Sequence, residues 1–520
     1  MLICNLLLFI LGGRMVLAKG LRPTHVAAAI LVVRILSVFL VQTWYVPDEY
    51  WQTLEVAHKQ AFGYGALTWE WRAGIRNYLY PSVIALLYTI LKFTGLDYPE
   101  VVVLIPRIFQ AILSAVADYS FYKWTGGRKW ALFLVLTSWF WFYTSGRNLL
   151  QTLETVLVTV ALSKFPFKGG KLGYYEKEDS CWIWLASVSV FVRPTSLPLW
   201  AVLALYNLAT TNQDRLKLAL KTYLPIILVS SAALIAIDSY FYGRLIVTPW
   251  EFYRFNILQD VSSHYGVHPW HWYISQGLPA VLGVNTLPVL WGIFTVLRRP
   301  QQNKVGVLLL VTVAFHVIIH SFVPHKEFRF VLPLLPILLY LAQDVLVPWS
   351  RKANKWQLYL VALVLLVGNA VPALYFGMVH QSGTVKVMPL LRDAVPNNRS
   401  SILFITPCHS TPLYSHLHMN VTTRYLNCDP PLRGESTEQE AFYNNPQRWW
   451  RLEHSTRQTP SLVVLFDVLR GRVEELLKGY RLLHDLPHTQ FPEGEVGERL
   501  LVYQKIEGAA RVQQTDDTVQ

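Results

Sequence analysis

The sequence predicts a polytopic α-helical membrane protein with a small C-terminal α/β domain on the lumenal side. Of its 520 residues 53% are hydrophobic and only 15% are charged, whereas soluble domains carry roughly 25% charged residues. Residues 24–44 are almost uncharged apart from Arg34, and about 20 apolar residues suffice to cross a bilayer. Similar runs recur until residue 377, after which the sequence becomes polar.

The apolar runs predict about eleven transmembrane helices. Arg193-Pro194 interrupts the long run at 181–209, which could therefore be two short crossings. The predicted spans are residues 24–44, 80–95, 101–122, 129–146, 149–165, 181–209, 223–243, 278–297, 304–323, 330–348 and 357–377.

The net charge of +13 fits the cytosolic face of a membrane protein, since basic clusters lie in short loops between apolar runs, and it does not indicate a nucleic-acid partner. Three basic loops agree with a cytosolic N-terminus, whereas the basic stretches 123–129 and 164–177 disagree. The predicted organisation is a cytosolic extension, a membrane module with lumenal loops 45–79 and 244–277, a lumenal α/β domain and a disordered tail. The four parts are residues 1–23, 24–377, 378–508 and 509–520.

Two cysteines and two sequons occur together in the polar C-terminal region. If this region is lumenal, a disulfide between Cys408 and Cys428 is expected, with two free buried thiols as the alternative. Asn398 and Asn420 are the expected glycosylation sites. The predicted strands are 401–406, 462–466 and 500–504, and the predicted helices lie near 385–394 and 471–479.

Two adjacent carboxylates, Asp48 and Glu49, follow the first apolar run. Pro47 can begin a helix, and acidic residues are favoured in its first turn, so the pair could simply start an interfacial helix. The alternative is a catalytic base at a membrane-embedded site. Because neighbouring side chains point in different directions, only one of the two is expected to do chemistry.

A second cluster, His325-Lys326-Glu327-Phe328-Arg329, lies between two apolar runs. Charges at a membrane boundary are costly and often functional, although Lys326 and Arg329 could also extend towards lipid headgroups. The functional interpretation is an anion site, in which lysine supplies a point charge and arginine a fork suited to phosphate. His325 and Glu327 complete that site.

Three further features each allow more than one interpretation. Arg193 could bind the same phosphate or form a structural pair within the helical bundle. Trp69 and Glu70 could contact a sugar from the first loop, or could belong to a packed loop core. His264, His268 and His271 share one loop, but no matching Cys or carboxylate accompanies them, so no metal is expected. No nucleotide-binding motif is present in the sequence.

Together these clusters predict one reaction class. Cations would hold a lipid phosphate while a carboxylate takes a proton from an attacking hydroxyl. That reaction is glycosyl transfer from a lipid phosphate.

Three segments resemble the dolichol-phosphate-mannose-dependent mannosyltransferases of the endoplasmic reticulum, a GT-C type family known as glycosyltransferase family 22. The segments are Val46–His58, Leu67–Trp71 and His325–Phe330. Glu49–Gln52 and Pro407–His416 point to the members that add a third, α1,2-linked mannose to the glycosylphosphatidylinositol (GPI) precursor.

The resemblance implies an inverting transfer with Asp48 as base and Glu49 as its substitute. Lys326 and Arg329 are the implied contacts of the donor phosphate. The implied substrates are dolichol-phosphate mannose and the GPI precursor glycolipid, with no cofactor, on the lumenal face of the endoplasmic reticulum membrane. The alternatives are a family member acting on the lipid-linked N-glycan precursor and, in another class, a lipid transporter or flippase.

Overall fold

The computed structural model describes residues 22–168, 179–395, 400–430, 436–456 and 459–506. Most of the predicted N-terminal extension, all of the predicted tail and the sequon residue Asn398 lie outside these residues. The chain forms two compact units. The first comprises the described residues of Met1–Leu40, Ala73–Ser82 and Leu104–Leu374, and the second those of Val41–Arg72, Val83–Val103 and Tyr375–Gln520.

Seven helical segments of the described chain are long and apolar enough to cross a membrane, and this confirms the predicted class of polytopic helical membrane protein. Each overlaps a predicted span, although Arg215 and Tyr273 begin their segments eight and five residues before the predicted starts, and Ala394 ends its segment 17 residues after the predicted 377. The segments are Pro23–Leu40, Pro99–Trp124, Arg215–Tyr242, Tyr273–Arg298, Lys304–Ser321, Phe328–Lys352 and Lys355–Ala394.

The other predicted spans are shorter or broken helices. Proline disfavours a helical conformation of the preceding residue, and Arg193 is extended, with φ −138° and ψ 97°. Residues 129–137 are almost wholly buried, and a helix that is apolar all round is typical of a bundle interior as well as of a membrane span. These helices are Leu79–Thr94, Lys129–Thr137, Trp139–Thr144, Leu150–Lys164, Cys181–Val192 and Leu197–Thr210.

A fully buried ion pair joins two helices of the first unit. Arg34 Nε lies 2.5 Å from Asp118 Oδ2, with side-chain exposures of 0% and 1%. Arg34 also donates to the carbonyl of Val135 at 2.8 Å, and Trp141 Nε1 donates to Asp118 Oδ1 at 2.8 Å. These hydrogen bonds compensate the cost of burying both charges. Arg34, the charged residue within the first predicted span, therefore has a structural role in joining the helices.

We expect that losing one partner of this pair will be more harmful than losing both. Arg34→Met or Asp118→Leu alone should lower the free energy of unfolding by about 3 to 5 kcal/mol, because each leaves an uncompensated buried charge. The double variant should recover most of that loss. Denaturant unfolding in detergent micelles measures all three, and equal, additive losses would contradict the assignment.

In the second unit, the described chain forms a mixed five-stranded sheet of order β2-β1-β3-β5-β4. β1 pairs in parallel with β2 and β3, and β5 pairs antiparallel with β3 and β4. The strands are β1 Ser401–Ile405, β2 Thr422–Tyr425, β3 Leu462–Phe466, β4 Tyr480–Pro487 and β5 Arg499–Lys505. This sheet confirms the predicted α/β character of the C-terminal region.

The central strand of the sheet, β3, is buried on both faces. Leu403, Val463 and Leu501 lie in one buried cluster with Phe442 and Trp449 of two helices. The first of these helices begins at a capping box, in which Thr437 and Glu440 satisfy each other's backbone N–H groups. The helices after residue 378 are Gly383–Ala394, Tyr414–Leu417, Glu438–Asn444 and Pro446–Thr456, with a 3-10 segment at Asp467–Arg472.

One predicted helix of this region is wrong. Residues 471–479 form 3-10 and turn structure, because the segment is short and ends at Gly479, whose φ is +87°, and isolated short helices are marginal. The sequence pattern also did not predict β2 and β4. β4 is an edge strand with many exposed residues, so it lacks the apolar run by which strands are recognised.

Candidate active site

Asp48 lies at the start of a helix in the second unit. The N–H groups of Tyr50 and Trp51 donate to the carbonyl of Pro47 at 3.0 and 2.9 Å, so the helix begins where the sequence predicted. Asp48 is half-buried, whereas Glu49 is only 2% exposed. Because a catalytic base must reach its substrate, this difference favours Asp48 over Glu49.

A π-helical turn comes directly after Asp48. Tyr50–Leu54 is π-helical, and Glu55–Phe62 continues as α-helix. Such turns are rare and frequently occur at functional sites. In a regular helix, residues seven apart share one face, but the extra residue of a π turn rotates the next part of the helix by about 100°. Asp48 can therefore stay half-exposed while Glu55 is fully buried.

The tryptophan-rich part of the first loop braces this turn. Trp71 is buried, and its Nε1 donates to the carbonyl of Trp51 at 3.3 Å. Gln52 Nε2 lies 3.3 Å from Glu70 Oε2. Trp69 and Glu70 are half-buried in the short helix Trp69–Ala73. The structure thus places Glu70 against the helix that carries Asp48. The tryptophan buried against that helix is Trp71, whereas Trp69 is half-buried.

In the first unit, three residues of the second cluster form a neutralised triad. Arg329 donates twice to Glu327, from Nε at 2.7 Å and from Nη2 at 2.5 Å. His325 Nε2 lies 3.0 Å from Glu327 Oε1, and His325 Nδ1 lies 3.1 Å from the carbonyl of Gly266. The arginine fork therefore binds a carboxylate within the motif, and the motif is fixed to the 244–277 loop.

Lys326, a predicted phosphate contact, lies among backbone carbonyls. It is 2% exposed, and its ammonium donates to the carbonyls of Val323 at 2.7 Å, His268 at 3.0 Å and Pro324 at 3.4 Å. An ammonium has three protons, so these carbonyls account for its donors. Lys326 in this conformation joins two chain segments and presents no free donor to a phosphate.

Arg193 is both a structural partner and a cavity residue. Its Nε lies 3.1 Å from Glu154 Oε2, with side-chain exposures of 8% and 4%. Arg193 and Arg329 lie over the same Phe330 ring, at 5.6 and 5.4 Å from its centroid. A small cavity is lined by Arg193 and Arg76, together with Asn77, Thr195 and Thr248. Two arginines give this cavity the chemistry of an anion site.

The triad shifts the pKa of two of its members. Burial opposes ionisation of Glu327, but the Arg329 charge and the His325 hydrogen bond outweigh it and hold its pKa well below the usual range. Burial likewise opposes protonation of His325, but the hydrogen bond and charge of Glu327 outweigh it and raise its pKa above 6.5. Both shifts favour the charged pair.

These shifts predict how stability depends on pH. The contribution of Glu327 is present above its ordinary pKa of 4.5 and is lost as the pH falls, while that of His325 is present below 6.5 and is lost as the pH rises through its raised pKa. The triad should therefore stabilise the folded protein most between pH 4.5 and pH 6.5.

Above pH 6.5, the melting temperature of the wild type should decline more steeply than that of His325→Asn. The control His264→Asn changes an exposed histidine and should retain the wild-type slope; equal slopes for all three would contradict the prediction.

Cys408 and Cys428 form a disulfide, and Asn420 is exposed, as a glycosylated residue must be. Among the described residues, these cysteines and His409 are the one group of three potential metal ligands that lie together. A disulfide has no thiolate to offer a metal. The group therefore serves here as a covalent anchor for the chain around His409.

Sequence reasoning missed three residues of these regions. Glu55 is a fully buried carboxylate, and Arg76 lines the cavity beside Arg193. His409 packs on Trp51, with ring centroids 4.4 Å apart, and has a left-handed backbone with φ +58°. The sequence shows that Glu55 lies seven residues after Asp48. It does not show that Glu55 is buried, because the π-helical turn between them changes the face on which Glu55 lies.

Similarity to known proteins extends over nearly the whole chain. The chain is 48% identical over 489 residues to "GPI mannosyltransferase 3" of Drosophila melanogaster, covering 92% of this chain and 86% of that protein. It is 39% identical to "GPI alpha-1,2-mannosyltransferase 3" of Danio rerio, covering 92% and 90%, and 37% identical to the Homo sapiens protein of that name, covering 91% and 86%.

The fold is also found in a solved structure. ArnT from Cupriavidus metallidurans, crystallised with undecaprenyl phosphate, superposes with a TM-score of 0.57 at 13% identity, covering 93% of this chain and 98% of ArnT. This likeness supports the GT-C type fold that the sequence resemblance implied. The model of the Alg9-like mannosyltransferase family matches residues 25–418. With that match and those relatives, the chain belongs to the Alg9-like mannosyltransferase family.

Proposed function

We propose that this membrane enzyme transfers the third mannose, in α1,2 linkage, from dolichol-phosphate mannose to the GPI precursor on the lumenal side of the endoplasmic reticulum membrane. The observation that carries the proposal is the similarity along 92% of the chain to a protein named GPI alpha-1,2-mannosyltransferase 3, at 39% identity. The seven helices long and apolar enough to span a membrane agree with lipid-linked substrates.

In this reaction an acceptor hydroxyl oxygen attacks the anomeric carbon of mannose, and the bond from that carbon to the phosphate oxygen breaks. The proton of the hydroxyl goes to the carboxylate of Asp48, and the phosphate leaves with the lipid. The half-buried position of Asp48 at a helix start supports this role, because the helix dipole stabilises a carboxylate there. Inversion at the anomeric carbon then gives an α-mannoside from a β-linked donor.

Arg193 and Arg329 are the proposed partners of the donor phosphate. Their support is their common position over Phe330 and the small arginine-lined cavity beside Arg193. A protein of the same fold holds undecaprenyl phosphate, which is a lipid phosphate of the same chemical class. Lys326 is proposed to hold the two chain segments of this region together through its hydrogen bonds to the carbonyls of His268 and Val323. Trp69 and Glu70 remain predicted sugar contacts.

Purified enzyme in lipid nanodiscs tests the proposal. With dolichol-phosphate mannose, it should elongate a two-mannose GPI acceptor by one mannose, removable by an α1,2-specific mannosidase. The lipid-linked N-glycan precursor, offered in parallel, should not be elongated. Product from the N-glycan precursor alone would refute the proposed acceptor. Equal activity of the wild type and Asp48→Asn would refute the proposed mechanism.

A further inference from the structure

The segment Pro407–His416 makes an extended contact with the helix that carries Asp48. Trp51 Nε1 donates to the carbonyl of Thr411 at 3.0 Å. The ring of Tyr50 meets that of His416 edge-on, at 5.3 Å between centroids, and Trp51 packs on His409. We call residues 407–416 the docking segment.

Glu55 is the centre of this contact. It is 0% exposed, and its carboxylate accepts from the N–H of Leu413 at 2.9 Å, the N–H of Ser415 at 3.1 Å and the hydroxyl of Ser415 at 2.6 Å. A buried carboxylate is costly unless it is hydrogen-bonded. Burial raises its pKa, while the hydrogen bonds of Ser415 and Leu413 act in the opposite direction.

The docking segment is itself held in place. The Cys408–Cys428 disulfide fixes its beginning, and the carbonyl of Pro407 accepts from the N–H of Ser410 at 3.1 Å. A disulfide reduces the freedom of the chain that it closes. The segment is therefore a fixed surface to which the helix can be anchored.

The helix needs such an anchor because its first turn is π-helical. A π turn is rarely stable by itself and persists where surrounding contacts support it. Glu55 is the first residue after the turn, and Asp48 lies just before it. Trp51 lies within the turn and Glu55 directly after it, and both contact the docking segment.

We propose that Glu55 is a positioning residue for Asp48, which acts by anchoring the π-helical turn to the docking segment. This inference rests on the proposed role of Asp48 as the base. Glu55 is fully buried, and its carboxylate is bound by the docking segment. Its effect is on the orientation of the carboxylate seven residues earlier.

The test combines kinetics with hydrogen exchange of the peptide that covers residues 48–58. Glu55→Ala should lower kcat about 10- to 100-fold, since a misplacement of about 1 Å can have that effect. KM for donor and acceptor should change little, and exchange should increase selectively in residues 48–58. Glu475→Gln, which changes an exposed carboxylate of the sheet domain, should leave kcat and exchange unchanged.

Milder variants keep the inference falsifiable if Glu55→Ala folds poorly. Ser415→Ala removes the hydroxyl donor and should give a smaller change in the same direction. Glu55→Ala combined with Ser415→Ala should be no worse than Glu55→Ala alone.

Three results would overturn the inference: unchanged exchange in residues 48–58, a rise in KM at constant kcat, or exchange that increases equally along the chain. The exchange measurement needs no substrate. If the wild type forms no product, the proposed function fails, whereas the exchange of the Glu55 and Ser415 variants still decides whether the docking segment anchors the helix.

Discussion

Asp48→Asn is expected to abolish measurable mannosyl transfer. A positioned general base contributes about 100- to 10,000-fold to the rate, and an amide of nearly the same shape cannot accept the proton of the acceptor hydroxyl. The loss should fall on kcat, with KM for the donor nearly unchanged, because the carboxylate is needed in the transition state. Single-turnover transfer from labelled dolichol-phosphate mannose measures it.

Glu49→Gln is the matched control, since it makes the same chemical change at the adjacent residue. Glu49 is 2% exposed, so its replacement should affect stability more than chemistry, and it should exceed Asp48→Asn in activity by at least about tenfold. The reverse order of activities would assign the base to Glu49. Equal activity of both variants and the wild type would exclude a carboxylate base in this segment.

Arg329→Lys is expected to have the second-largest effect. Lysine keeps the charge but not the two-bond fork by which Arg329 binds Glu327. Because Arg329 is also the proposed partner of the donor phosphate, we expect a loss of about 100- to 1,000-fold in kcat, the range seen when one donor that stabilises developing charge is removed. The melting temperature should also fall, because the side chain is only 6% exposed and its partner 24%.

Arg298→Lys controls for this change. Arg298 is exposed and also lies over a phenylalanine ring, with its guanidinium 5.6 Å from the centroid of Phe294. It should retain wild-type activity and stability. If Arg329→Lys has wild-type kcat despite a lower melting temperature, the role of Arg329 is limited to holding the triad together.

Local sequence patterns were most informative where one element acts alone. The apolar runs identified each of the seven long helical segments, since crossing a bilayer requires about 20 apolar residues. Pro47 correctly marked the start of the helix at Asp48. The patterns did not predict that the span 129–146 is divided into the two short helices Lys129–Thr137 and Trp139–Thr144. They were wrong at 471–479, which form 3-10 and turn structure and end at Gly479 with φ +87°.

The roles of individual charges depended on partners far away in the chain. Lys326 was expected to bind phosphate, but backbone carbonyls, including that of His268, accept its protons. Arg193 was expected either to bind phosphate or to pair within the bundle. The structure places it against Glu154 and also beside the cavity.

The sequence by itself determined the class of protein, the positions of the long helices and the two clusters of ionisable residues. Hydropathy and motif spacing act along the chain and can be read from it. Only the tertiary structure decided that Asp48 is accessible while Glu49 and Glu55 are buried, and that Lys326 is occupied by carbonyls. Burial and hydrogen-bond partners depend on segments hundreds of residues apart, such as Glu55 and Ser415, and no local pattern contains that information.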